Sequence, residues 1–449
     1  MAYKARKRQV IEGTIEENVF PNRGLVKIDE SLYSIKNTIK GQKVSFVKKK
    51  KKGDFIDSKL VDILEKSPLE TEEGCPVNQK CGGCIYQRLP YETECDLKFS
   101  SLKKLYQDIY DGEPVFNPSV KVTAYRNKME YSFGDSEKGG PLVIGLHSKG
   151  RFYDICNCID CNIVDETFNK IRESLQDYFR EKGYPYYKKI AHTGILRHLI
   201  IRKSFYNDEY MVNLVTTSEF EDTADFVDFT RSIDKRIVSI FHTINDNDSD
   251  AVVVDKLIHL YGKEYLSENI LGLDFRISPF SFFQPNPAQA SLIYKKALDL
   301  AGDLEGKEVY DLYCGTGTIA QIFAKSAKSV TGVEIVEEAV VKAIENANLN
   351  GLTNTKFVAA DCLDYMDQVE KKDVIVLDPP RDGIHPKAID RLIDINPEKF
   401  IYISCNPVSQ KRDLEKFLER GYEIKALEFF DQFPRTYHVE SVSLLERII

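Results

Sequence analysis

Apolar and polar residues alternate with a period of two through "RQVIEGTIEENVF", "RGLVKI" and "QKVSFVKKKKKGDFIDSKLVDIL", residues 8–64, with glycines and Asn22-Arg23-Gly24 between the runs. This pattern predicts five short strands and their turns, enough for a small barrel of the oligonucleotide-binding kind. Helical spacing follows in "YETECDLKFSSLKKLYQDIY". From about 118 to 275 the two-residue period returns in "YRNKMEYSF", "LVIGLHS", "LRHLIIRKS" and "EYMVNLVTT", with a helix over 165–182. From about 285 helix and strand patterns alternate: "PAQASLIYKKALDLA", "EVYDLY", "SVTGVEI", "TKFVAAD", "DVIVLDPP" and "KFIYISCNP". This βαβαβ succession predicts an α/β fold with a doubly wound parallel sheet, its site at the carboxyl ends of the strands. The last segment, "YEIKALEFFDQFPRTYHVESVSLLERI", reads as two strands joined by a longer loop. Three units are therefore expected: a barrel over 1–64, a β-rich unit over 65–86 and 118–275, and an α/β unit over 87–117 and 276–449.

Composition narrows the class. At 449 residues, 42% hydrophobic and 29% charged, the chain is expected to be a soluble protein of two or three domains. No run approaches the roughly 18 apolar residues of a membrane span. "MAYKARKRQV" is basic but has no apolar core behind it, so a cytoplasmic location is expected. The net charge of −8 conceals an asymmetry, because residues 1–60 hold 15 Lys and Arg against 7 Asp and Glu. A basic module on an acidic body suits a polyanion-binding appendage.

Candidate chemistry falls in three places. In "DLYCGTGTIA" the glycines, Gly315 among them, lie where a strand turns into a helix, and Glu334 ends the next strand, 23 residues after Asp311. A strand-end carboxylate at that offset suits a ribose diol, which NAD and S-adenosylmethionine share; the absence of Gly-Lys-Ser/Thr excludes a P-loop. Asp378-Pro379-Pro380-Arg381 ends the following strand and resembles the substrate-side loop of class I methyltransferases. Seven of the ten cysteines lie in two groups, Cys75, Cys81, Cys84 and Cys95, then Cys156, Cys158 and Cys161. Clustered thiolates suit zinc or an iron–sulfur cluster, and any of the last four could be the fourth ligand. Cys405 ends an apolar strand, where Asn406-Pro407 stops further sheet from covering its sulfur.

The ordered set "CPVNQKCGGC", "SFFQPN", "DLYCGTGT", "LDPPRDG", "ISCNP" and "HVES" resembles the RNA uracil-5-methyltransferases, in the branch with an N-terminal TRAM domain that includes the 23S ribosomal RNA enzymes. The resemblance spans essentially the whole chain. It implies a class I methyltransferase fold, S-adenosylmethionine as cofactor and RNA as partner, with a monomer expected. It further implies that Cys75, Cys81, Cys84 and Cys161 hold a [4Fe-4S] cluster, and that Gln284, Tyr313, Gly315, Glu334, Asp361 and Asp378 contact S-adenosylmethionine. Pro285 and Thr318 are departures from the family pattern that bear on minor contacts.

Uracil carbon 5 is too poor a nucleophile to take a methyl group unaided. A thiolate adding to carbon 6 makes it an enolate, and a base must then remove the carbon 5 proton. Cys405 is the expected nucleophile, Glu440 the expected base, and Asp378 a hydrogen-bonding partner. Cytosine-5 enzymes carry a second cysteine after the Asp378 strand, which "DPPRDG" lacks. Tyr125, Arg126, Lys128, Tyr131, Phe133, Arg197 and Arg202 are candidates for gripping single-stranded RNA. The alternatives are a transfer RNA substrate, or an inactive RNA-binding assembly factor on the same fold.

Overall fold

The computed structural model of the chain describes residues 9–249, 252–366 and 373–448; the basic stretch 1–8, weighed above as a leader, lies outside them. Its first sheet has six strands, in the order Val10–Thr14, Lys43–Lys52, Phe55–Glu65, Ser31–Lys36, Arg23–Ile28, Glu17–Val19. The two outer strands are successive pieces of one segment, so the sheet curls back on itself around Ile15, Val26, Ile35, Val44 and Phe46. The expected first strand is split because its partner changes: Ile15 N–H donates to Gln42 O and Glu16 N–H to Leu25 O. Gly24 permits the closure, since a Cβ there would lie 2.7 Å from Ile15 Cγ2. Lys48–Lys52 lie on the exposed end of a strand.

The second sheet runs Arg151–Asn157, Leu142–Ser148, Lys128–Asp135, Leu196–Ser204, Glu209–Thr216, Ile237–Ile244, Lys256–Gly262. Helix Glu166–Lys182 starts where the Asp165 carboxylate accepts from Thr167 and Phe168 N–H, and ends at left-handed Gly183. It buries Phe168, Ile171, Leu175 and Phe179 against the sheet. A second helix, Thr223–Ile233, was not apparent in the sequence. It is short, its Asp222 makes no side-chain cap, and it buries only Phe226, Thr230 and Ile233.

The third sheet has eight strands, in the order Thr355–Ala359, Ser329–Glu334, Glu308–Leu312, Val374–Leu377, Lys399–Ser404, Glu440–Arg447, Tyr422–Phe430, Val115–Asn117. Glu440–Arg447 runs antiparallel to both neighbours, while the other adjacent pairs are parallel. Strand order reverses between Glu308–Leu312 and Val374–Leu377, which opens a crevice at their carboxyl ends. Helices Pro287–Ala301, Pro386–Ile395 and Pro407–Glu419 each begin with proline behind a side-chain cap, from Asn286, His385 and Asn406.

Helix Tyr91–Tyr106 joins this layer from far away in the chain. Tyr106 Oη donates toward Pro407 O and Gln410 Oε1, both at 2.8 Å. Lys98, fully buried, bridges Glu94 at 2.6 Å and Asp431 at 2.8 Å. Tyr91 Oη donates to the other Asp431 oxygen. Among the described residues no helix is long and apolar enough to cross a membrane.

Candidate active site

Strand Lys399–Ser404 pairs antiparallel with Glu440–Arg447, ending on the pair Ser404–Ser441. Cys405 directly follows this last rung and Glu440 directly precedes it, so both lie at one end of the pair, and the Glu440 carboxyl bears on the Cys405 thiol. The Asn406 side chain stops the strand at this point. Its Oδ1 caps Val408 N–H, and its Nδ2 donates to Arg381 O at 2.9 Å. Ser409 Oγ donates to the same carbonyl at 3.0 Å. The turn after the Asp-Pro-Pro strand is thereby tied to the cysteine turn.

Three acids meet there. Burial, with the Asp378 carboxyl next, pushes Glu440 up to about 8. Burial alone pushes Asp378 up to about 7. Burial pushes the Cys405 thiol up to about 11, and both carboxyls add to it. The cation that works against this rise is Arg381, on the exposed turn after the Asp-Pro-Pro strand. Arg381 Nη2 also lies 3.5 Å from His438 Nδ1. Burial first, then the cations Arg381, Lys98 and Arg126, hold His438 down at about 4, so the imidazole is neutral.

Beside this group the chain turns at Tyr313, Gly315 and Gly317, all with positive φ. Gly317 admits nothing larger, because a Cβ would lie 2.7 Å from the Phe357 ring. Glu334 at the adjacent strand end accepts from Gly315 N–H at 3.0 Å and Val336 N–H at 2.9 Å. Asp361 ends the third strand's loop and caps Cys362–Tyr365 through Leu363 N–H. Gln284 Oε1 accepts from Gln432 Nε2 at 3.2 Å, and its side chain also bonds Tyr294. The fold thus brings Gln284, Tyr313, Gly315, Glu334, Asp361 and Asp378 to one end of the sheet. Gln432 and Tyr294 had no signal in the sequence. Arg381 was visible as the cation following Asp378-Pro-Pro, without an assigned task.

The cysteines of the two groups line a separate cavity, formed by Cys75, Cys81, Cys84, Cys158 and Cys161 with Leu146 and Ile163. Cys95 is not among them: it sits on helix Tyr91–Tyr106 beside Tyr91. Each of the four expected ligands has polar neighbours. Gly83 N–H donates to the Cys81 sulfur and the Gln87 side chain to that of Cys84, while the backbone at Val77 and Asn78 and at Ile163 and Val164 favours the ionised forms of Cys75 and Cys161. Burial pushes the thiols of Cys84 and Cys161 up to about 12 and about 11, a cost that bound cationic iron would offset. Cys156 and Cys158 pack beside Cys81 and hold its thiol below the usual range, while their own S–H groups reach Asn157 O and Cys156 O. Among the described residues no three His, Cys, Asp or Glu side chains close around a point as a single metal ion requires.

The proposed RNA grips are corrected by burial. Tyr125, Tyr131 and Phe133 are core residues, and Tyr125 Oη donates to Pro434 O. Arg197 donates to the carbonyls of Asn245, Asn247 and Ser249, and Arg202 to those of Pro279 and Ser281. Arg126 Nε donates to Lys128 O. Arg197 and Arg202 thus hold loops together from within the core, whereas Arg126 and Lys128 are half-exposed and remain candidates.

Residues 255–448 match the family model described as tRNA (Uracil-5-)-methyltransferase. An uncharacterized RNA methyltransferase of Caldanaerobacter subterraneus is 44% identical over 98% of this chain and 99% of its own. One from Clostridium tetani is 43% identical over 98% of each. The crystal structure of Pyrococcus abyssi tRNA (uracil-54, C5)-methyltransferase in complex with S-adenosyl-L-homocysteine superimposes with a TM-score of 0.77 at 26% identity, covering 97% of this chain and 100% of that one.

Proposed function

The chain belongs to the RNA (uracil-5-)-methyltransferase family, and from that premise we propose that it methylates carbon 5 of a uridine in 23S ribosomal RNA through a covalent adduct on Cys405. The observation that carries the reading is the placement of Cys405 and Glu440 at one end of a strand pair beside Asp378, at the reversal of strand order.

S-adenosylmethionine, when bound, supplies the electrophilic methyl group. Tyr313, Gly315, Glu334 and Asp361 form its seat, with Glu334 suited to the ribose hydroxyls and Asp361 to the adenine end. Gln284 and Asp378 close the seat on the side facing Cys405. The Cys405 sulfur adds to uracil carbon 6, and the ring electrons move to make carbon 5 nucleophilic. After methyl transfer Glu440 takes the carbon 5 proton, and the carbon 6–sulfur bond breaks to restore the cysteine. The target base must be unstacked to reach the sulfur, at a cost of a few kcal/mol. The basic barrel, read as a TRAM domain, and Lys48–Lys52 supply the electrostatic grip on RNA.

Cys75, Cys81, Cys84 and Cys161 would hold a [4Fe-4S] cluster, whose contribution there is to cross-link residues 75–84 to 161. A second substrate reading, transfer RNA, is favoured by the likeness to the Pyrococcus abyssi enzyme. Incubation with labelled S-adenosylmethionine and unmodified ribosomal or transfer RNA, followed by mapping of 5-methyluridine, decides between them. Absence of 5-methyluridine in both RNAs would overturn the function.

A further inference from the structure

The cysteine cavity draws its walls from two stretches of chain, one carrying Cys75, Cys81 and Cys84 and the other Cys161. Each stretch is fastened by itself. Gly82 N–H donates to His147 O at 2.9 Å and Lys149 N–H to Lys80 O at 2.7 Å, which holds the first against the end of strand Leu142–Ser148. In the second, the Asn169 side chain brackets Cys161, accepting from its N–H at 3.2 Å and donating to its carbonyl at 3.1 Å. Ala124 N–H donates to Asn162 O at 2.9 Å and Arg126 N–H to Ile163 O at 3.0 Å. A pair of side-chain amides, 75 residues apart in sequence, joins the two stretches. Gln87 Nε2 donates to Asn162 Oδ1 at 2.8 Å, and Asn162 Nδ2 donates back to Gln87 Oε1 at 3.1 Å. Gln87 is buried, and the same Nε2 lies 3.5 Å from the Cys84 sulfur. Turning both amides over would keep the pair but aim the Gln87 oxygen at that sulfur. A thiolate ligand accepts and has no proton to donate, so it selects the orientation observed.

Resting on the [4Fe-4S] reading above, we propose that Gln87 and Asn162 act as one positioning device for the cysteine site. Their amide pair holds the two ligand-bearing stretches together and aims a Gln87 N–H at the Cys84 sulfur. The two effects differ in kind. Closure keeps Cys161 beside the other three cysteines, so it governs how fast iron is lost. The N–H places positive density beside a sulfur whose negative charge grows on reduction, so it raises the reduction potential. Neither amide does this alone. Without Asn162 the Gln87 side chain loses the partner that orients its Nε2, and without Gln87 the Asn162 side chain has nothing to hold.

Full-length protein prepared without oxygen tests this, as wild type, Gln87→Leu, Asn162→Leu and the double variant. Iron release to a ferrous chelator is followed by absorbance, and the reduction potential by dye-mediated titration with electron paramagnetic resonance. Each single variant is expected to release iron about tenfold faster than wild type. The double variant is expected to be little faster than Gln87→Leu, whereas independent effects would multiply to about a hundredfold. Gln87→Leu is also expected to shift the potential downward, which a purely structural role would not do. If Gln87→Leu does not fold, Gln87→Met, closer in length and equally without an N–H, carries the same readouts. Wild-type release rates in both single variants, multiplied effects in the double variant, or an unchanged potential in the Gln87 variants overturns the proposal. In each of those cases the wild type is loaded and the cluster reading stands. Colourless, iron-free wild type overturns the cluster reading and this proposal with it.

Discussion

Cys405 directly follows and Glu440 directly precedes the last rung of an antiparallel pair, Ser404–Ser441. Cys405→Ala is expected to abolish both adduct and product. Glu440→Gln is expected to form the adduct at near wild-type rate and release it at least a hundredfold more slowly. Denaturing gel analysis of enzyme incubated with labelled RNA distinguishes the two, and wild-type turnover by Cys405→Ala would remove the assignment.

The acids at the site set a pH dependence. Glu440 acts as a base only when ionised, and burial has moved its titration to about 8. Adduct release is expected to fall tenfold per unit as pH drops below that value. Stability runs the other way: the folded state binds the Glu440 proton more tightly than the unfolded chain, so this group costs stability as pH rises from about 4.5 through about 8. Glu440→Gln is therefore expected to be the more stable protein at pH 9, by up to about 4 kcal/mol, with little difference at pH 5. Urea titrations at the two pH values check this.

Cofactor affinity should depend on Glu334, whose carboxylate already orients Gly315 N–H. Glu334→Ala loses a charge-assisted bond to the ribose and is expected to weaken S-adenosylhomocysteine binding by about tenfold to a hundredfold. Isothermal titration calorimetry on the free enzyme measures this, and unchanged affinity would move the cofactor elsewhere.

Lys98 lies between two carboxylates inside the protein. Lys98→Met leaves Asp431 with only the Tyr91 hydroxyl and Glu94 with only Arg435, and a loss of about 3–5 kcal/mol of unfolding free energy is expected. Attraction to Asp431 and Glu94 outweighs burial and keeps Lys98 charged, its titration raised above the ordinary lysine value.

For the cysteine cavity, protein prepared without oxygen is expected to be brown and to contain about four irons per chain. Cys161→Ser should lower the iron content, whereas Cys95→Ser should leave it unchanged, because Cys95 lies away from the cavity. Colourless, iron-free protein would leave zinc or no metal.

The alternating helices and strands after residue 285 were legible in the sequence because each strand is a short apolar run bounded by a glycine, a proline or a capping asparagine. Cys405 was legible for the same reason, since Asn406-Pro407 marks where its strand stops. The buried arginines misled, because a cation that saturates loop carbonyls has the same spacing as one awaiting phosphate. Helix Thr223–Ile233 was hidden by its missing cap. Long-range partners such as Gln284 and Gln432 leave no local pattern at all.

Arg435 shows how far that long-range assembly goes. It lies in the loop leading to Glu440, in a left-handed conformation. Its carbonyl receives Ile85 and Tyr86 N–H, its own N–H reaches Glu94, and its guanidinium reaches Leu89 O. The base-bearing loop is thus moulded against a segment made some 340 residues earlier. A fragment of residues 255–448 would carry nearly every methyl-transfer motif yet lack the surface that shapes its last loop. During synthesis, then, the centre is finished only when residues 435–440 dock onto residues 85–94.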